Sequence, residues 1–375
     1  MSEWMEIAFK DACSFSYGKM PKKEKIGHGS FQIFTGYKYL DSYPEYNCDQ
    51  GDVIVVARGV GGSGDVKIVN KKSYLTNLSI KFTLNNEILL NTYCFYYFQW
   101  NNLRYLDSGS AQSQITINDL EKVILKLPSI PEQKAIASAL SSLDDKIDLL
   151  HRQNKTLESM AETLFRQWFI LDSTGVSVSI DQIIDFNPKR TLIKSQDATY
   201  LDMAGLSTVI FRANGYYRRP FSSGTKFTKR DTLLARITPC LENGKAAYID
   251  FLDDNETGWG STEFIVMRPK KEIHPFISYI MCRNPDFKEY AESCMEGSTG
   301  RQRVNLDHLK KFNVNLPTEA SLRIINELLD SFESKLINNS KQIDSLEKLR
   351  DTLLPKLMSG DVRVQYAEEA IASVA

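Results

Sequence analysis

The chain has 375 residues, 42% hydrophobic and 25% charged, with a net charge of −1. That length suffices for two or three domains with cores of their own. The near-neutral charge excludes an indiscriminate polycation, and no apolar run approaches the roughly 20 residues of a membrane span.

The N-terminal stretch MSEWMEIAFKDA carries acids early and no apolar core run, so it does not read as a signal peptide. Next, Lys19, Lys22, Lys23 and Lys25 cluster beside Tyr17. Short β-rich runs follow at 51–57, 66–69 and 75–82, and later at 232–236, 246–249 and 263–267. Gly59, Gly61 and Gly64 form a GxGxxG after an apparent strand. A dinucleotide site needs a helix next, whereas the residues that follow read as another strand, so a hairpin tip carrying Arg58 is the better account. Helical patches at 92–100 and 275–282 are each followed by a Gly/Ser/Gln/Arg-rich loop, DSGSAQSQ at 107–114 and GSTGRQR at 297–303. Between Phe186 and Arg236 there are ten Lys/Arg against three Asp/Glu, interleaved with aromatics. Such clusters suit a polyanion footprint; a solvated charged face is the competing reading. Six scattered cysteines without a CxxC pair fit reduced thiols in a cytoplasm and argue against zinc or a disulfide framework. No nucleophile elbow, HExxH or paired-carboxylate motif stands out.

The strongest signal is a repeat. ITINDLEKVILKL-Pro at 115–128 returns as VNLDHLKKFNVNL-Pro at 304–317, a shift of 189 positions. Each copy runs into a long segment with an apolar seven-residue seam. Leu140, Leu143, Ile147, Leu150, Leu157, Ala161, Leu164 and Trp168 form the first; Leu329, Phe332, Leu336, Ile343, Leu346, Leu353 and Leu357 form the second. Helices are expected over 133–168 and 320–355. Neither buries its seam alone, so they are expected to pair, antiparallel, with Asn154 and Asn339 as polar seam residues that fix register. The expected fold class is α+β with an internal two-fold repeat, two mixed α/β recognition domains joined by two long antiparallel coiled-coil helices. The domains are placed at 1–127 and 172–316, the spacer helices at 128–171 and 317–365, and a tail at 366–375.

Together these residues resemble the specificity subunit of type I restriction–modification systems over essentially the whole chain. The resemblance is carried by Leu127-Pro128 with Glu132-Gln133, and by Leu316-Pro317. The helix endings LFRQWF (164–169) and LLPKLMSG (353–360) carry it furthest. It implies a non-catalytic cytoplasmic subunit that reads a bipartite, asymmetric target in double-stranded DNA. Its implied partners are two modification (methyltransferase) subunits and the restriction (translocase–nuclease) subunits. S-adenosylmethionine would be bound by the methyltransferase partners, leaving this chain without cofactor or metal. Lys22, Tyr37, Arg58, Gln112 and Gln114 in the first domain are expected to face DNA, as are Lys189, Arg190, Arg236, Arg301, Gln302 and Arg303 in the second. Arg suits guanine and Gln suits adenine in the major groove, while Lys22, Lys189 and Arg190 are expected to grip phosphate. A coiled-coil scaffold carrying two protein-binding modules is the alternative.

Overall fold

A computed structural model describes residues 4–59, 62–107, 114–172, 174–298 and 300–372. The chain divides into two compact units, Met1–Asp148 with Asp344–Ala375, and Leu149–Ile343. Two long helices, Ile130–Phe165 and Glu319–Ser359, each contribute one part to each unit.

In the first unit a four-stranded antiparallel sheet has the order Cys13–Tyr17, Ser79–Leu84, Val53–Val56, Val66–Ile68. Val53–Val56 is buried throughout, as an apolar run in a central strand should be. A three-stranded sheet orders Tyr39–Tyr43, Phe31–Phe34 and Ser73–Leu75, the last pair parallel. Met5–Ala8 pairs with Ile124–Leu127, Met5 opposite Leu127. The second unit repeats this plan. Its first sheet runs Ile184–Phe186, Phe264–Pro269, Thr232–Ala235, Ala246–Tyr248. Its second runs Tyr217–Pro220, Asp197–Leu201, Thr257–Gly260, Thr225–Thr228, again with one parallel pair. Val176–Ser179 pairs with Asn313–Leu316, Val176 opposite Leu316. The repeat seen in sequence over the strand before each long helix therefore extends to the topology of both units.

The expected β runs are present with bounds shifted by one or two residues, except that 75–82 divides into Ser73–Leu75 and Ser79–Leu84 around a turn. The helical patches are Asn91–Trp100 and Phe276–Arg283, and a further helix, Pro285–Ser293, starts from the Asn284 cap. The residues after Gly64 form Val66–Ile68, antiparallel to Val53–Val56, so a strand and not a helix follows Gly64, while Gly61 lies outside the described residues. Thr116 and Asp119 form a capping box that sets the short turn before Ile124–Leu127, and Asn305 caps the same turn in the second unit. The C-terminal tail forms a helix, Val364–Ala372.

Within each unit the long helices run antiparallel. In the second, Asn339 Nδ2 donates to Asn154 Oδ1 at 2.8 Å and Asn154 Nδ2 to Ser340 Oγ at 3.3 Å, all three side chains buried. Buried polar side chains that find their partners across the helix pair favour one axial register. In the first, Arg350 Nη1 donates to Asp144 Oδ1 at 3.0 Å, and Asp144 Oδ2 accepts from Tyr96 at 2.6 Å, tying the helix pair to Asn91–Trp100.

One part of the expected seam is displaced. Beyond Leu157 the buried apolar positions are Ala161, Phe165 and Phe169, while Leu164 is half-buried along a groove with Leu328 and Phe332. A straight helix of 3.6 residues per turn drifts off a seven-residue repeat, and here it turns its buried face toward the core of the second unit. Phe165 and Phe169 stack at 5.2 Å, and the helix widens into a π-helical stretch over Arg166–Leu171. Pro355 sits inside the second helix, which continues to Ser359.

The same face holds Glu158, whose Oε2 accepts from Tyr279 at 2.8 Å. Burial pushes its carboxyl up from 4.5 to about 7, against the Tyr279 hydrogen bond and Arg283. The folded form therefore binds more protons than the unfolded chain between these values, and stability falls as pH rises through them. The second unit is expected to lose on the order of 3 kcal/mol across that window and to level off above it. Glu158→Gln should flatten the profile in urea titrations at pH 5 and 8; a variant as pH-dependent as the parent would contradict this.

Candidate nucleic-acid interface

One junction is built twice. In the first unit the chain leaves Val53–Val56 through Ala57, whose N–H donates to Leu78 O at 2.8 Å, and whose carbonyl accepts from Ile115 N at 2.9 Å. This pairs exposed Arg58 with half-buried Gln114 across an isolated bridge. In the second unit Arg236 N–H donates to Glu263 O at 3.0 Å and Arg236 O accepts from Val304 N at 2.8 Å, pairing Ile237 with Arg303. Gln114 and Arg303 are thus equivalent, as the 189-residue shift requires. Arg58, however, corresponds to Ile237, and Arg236 to buried Ala57. Alternate residues of an extended chain face opposite sides, which explains why Arg236 is half-buried. Its Nε is buried and unpartnered among the described residues, and Nη2 donates to Val304 O at 3.3 Å.

Arg303 stands half-exposed, its Nε and Nη2 donating to both carboxylate oxygens of Glu263 at 2.7–3.0 Å. The Arg303 hydrogen bond holds the Glu263 carboxyl below its ordinary value. Arg301 is exposed beside it. The Gln302 carbonyl accepts from Thr238 N and Oγ1 at 3.1 and 3.3 Å, which pins that segment to the strand end.

Tyr37 props the glycine hairpin. Its hydroxyl lies 2.8 Å from both Gly62 O and Asp65 Oδ2, and burial followed by Asp65 pushes its pKa up to about 12. The residue stays 49% exposed, with Lys67 Nζ over its ring at 5.6 Å from the centre. Gly64, at φ 96°, has Arg104 backbone where a Cβ would sit, a close approach that only glycine permits. Lys22 is exposed at the start of the 3-10 turn Lys23–Lys25, anchored by its amide to Tyr43 Oη at 3.1 Å. Gln112 lies outside the described residues.

The basic segment is less free than its composition suggests. Of its ten cations, Arg190 pairs with Asp231, Arg212 with Asp250, Arg218 with Asp197 and Glu256, Lys229 with Asp254, and Arg230 with Glu333. Asp197 and Asp231 belong to the segment itself, whereas Asp250, Asp254, Glu256 and Glu333 lie beyond it, so a local count misses those four. Arg190, expected at a phosphate, has its guanidinium between buried Asp231 and Thr228 Oγ1, whereas Lys189 beside it is exposed. Arg219 lies over Tyr200 and Trp259 at 4.8 and 5.2 Å. His274, Asp330 and Glu333 also converge, but the Arg230 guanidinium already neutralises Glu333, and the cluster is an ion-pair network rather than a vacant cation site.

Comparison with known proteins points one way. The chain is 24% identical over 343 residues to the type I restriction enzyme MjaIX specificity subunit of Methanocaldococcus jannaschii, covering 79% of this chain and 75% of that protein. It is 26% identical over 204 residues to the EcoEI specificity subunit of Escherichia coli, covering 51% of this chain and 34% of that one. The crystal structure of a type I restriction–modification S subunit from M. genitalium shares the fold, with a TM-score of 0.64 at 20% identity over 94% of this chain and 96% of that chain. The family model for the type I restriction modification DNA specificity domain matches residues 1–159 and again 174–348, one match for each copy of the repeat. With both halves matched, the chain belongs to the type I restriction–modification DNA-specificity family.

Proposed function

We propose that each unit reads one half of a bipartite DNA target, and that the halves differ in sequence. Members of this family are specificity subunits that recognise DNA and do not catalyse. The observation that carries the two-half reading is the junction built twice on one backbone plan with different side chains, Arg58 and Gln114 against Ile237 and Arg303. Phosphate contacts position a protein on the duplex, and base-edge contacts give it specificity. Exposed Lys22 and Lys189 suit the first role, and the junction side chains suit the second. The chain would direct two modification subunits and the restriction subunits to that target, with S-adenosylmethionine held by the modification subunits. Two continuous helices of 36 and 41 residues would set the spacing of the half-sites. No helix among the described residues is long and apolar enough to cross a membrane.

The test is the salt dependence of duplex binding. Log affinity should fall linearly with log salt, by about 0.9 per phosphate contact. Lys22→Ala should reduce that slope by about 1 and leave the preferred sequence unchanged. A flat salt response would favour a protein-binding scaffold instead.

A further inference from the structure

The two junctions differ at a third position that the sequence alone does not align. The carbonyl accepting from Ala57 belongs to Leu78, and the one accepting from Arg236 belongs to Glu263. Leu78 and Glu263 are therefore structural equivalents, although neither lies in a repeated motif. Each unit carries a triad on this frame: Arg58, Leu78 and Gln114 in the first, Ile237, Glu263 and Arg303 in the second. Leu78 is a large apolar residue that stays 39% exposed, and its carbonyl also accepts from Arg58 N–H at 3.1 Å.

We propose that these triads carry the base discrimination of the two units, and that Glu263 is a specificity-determining residue of the second, acting by positioning Arg303. This rests on the DNA-reading function above and names the residues that perform it. The chemistry follows from the pairing. Glu263 takes Nε and one N–H of Nη2 from Arg303. The opposite edge of the guanidinium, Nη1 with the second N–H of Nη2, remains a rigid pair of parallel donors. That edge matches O6 and N7 of guanine in the major groove. A free arginine would have to be ordered on binding, and a planar fork already held in place loses less freedom. Glu263 is itself fixed, because its carbonyl is bonded to the strand end and the backbone of Arg303 is bridged to Ile237. In the first unit Gln114 offers an amide suited to adenine N6 and N7, and Leu78 an apolar surface suited to the thymine methyl. The plain alternative is an ordinary surface ion pair at Glu263–Arg303, which contributes little to stability and nothing to sequence preference.

Selection from a pool of duplexes with randomised half-sites, using the full chain assembled with its modification subunits, separates these readings. The parent is expected to select two half-sites, one of them with a required guanine. Glu263→Gln keeps the shape and removes the charge that clamps Arg303; preference at that one base pair should fall about tenfold while the other half-site stands. In Glu263→Leu/Arg303→Gln, which installs the residues of the first unit, the same position should move to adenine. The unchanged half-site in each variant shows that the chain is folded and bound. Both variants selecting the parental sequence in both halves would overturn the proposal. A parent that selects no sequence would overturn the DNA-reading function itself, a distinct outcome.

Discussion

Arg230→Ala is expected to destabilise the second unit by about 3 kcal/mol, the lower end for one partner of a buried pair, because the guanidinium is partly exposed. Glu333, on the second long helix, is only 9% exposed. It accepts from Arg230 Nε at 3.1 Å and also from Nη2, and from Tyr248 Oη at 2.6 Å. Removing the guanidinium leaves a carboxylate in the core of the unit with one hydroxyl and an imidazole beside it. That imidazole, His274, accepts from Phe276 N–H at Nδ1, which leaves its proton on Nε2 facing Asp330 and Glu333. Burial lowers its pKa, and Arg230 adds to the lowering. In the variant that second push is gone, so His274 takes a proton more readily when folded. A group whose folded pKa rises contributes stability at low pH and loses it as pH rises. The loss should accordingly be smaller at pH 5.5 than at pH 8. Urea unfolding of Arg230→Ala, Glu333→Ala and the double variant checks this. The two losses should fall well short of adding, because the second deletion removes the charge the first one stranded. Strict additivity would mean that the pair is not coupled.

Much of this architecture was legible in the sequence because it is local or periodic. The 189-residue repeat, the Leu-Pro strand endings and the apolar seven-residue seam depend only on spacing. The glycine hairpin was readable because a strand pattern, not a helix pattern, follows Gly64. What could not be read depends on partners far apart in the chain. The pairing of Arg190 with Asp231, and of Arg230 with Glu333 across 103 positions, turns two members of a basic cluster into structural residues. The shift of the buried face from Leu164 and Trp168 to Phe165 and Phe169 arises where the helix meets a globular core as well as its partner helix. Arg58 and Arg236 look alike in sequence but sit one residue out of step on equivalent strands, so only Arg58 corresponds to the exposed bridge position. Leu78 and Glu263 carry no local signal; their equivalence is a property of sheet register.

The ion pairs also define how far the two halves can be treated as exchangeable. Replacing residues 172–316 by the corresponding segment of a relative leaves both long helices in place. The graft must still meet Glu158 and Glu333, so the donor needs a tyrosine to serve as Tyr279, and an arginine and a tyrosine to serve as Arg230 and Tyr248. With those anchors matched, mapping methylated sites made by the hybrid assembled with its modification subunits tests directly whether each unit reads its own half-site. One half of the recognised sequence is expected to change completely to the donor's, with the other half and the spacer unchanged. A hybrid that methylates DNA but alters both halves, or neither, would contradict independent reading by two units.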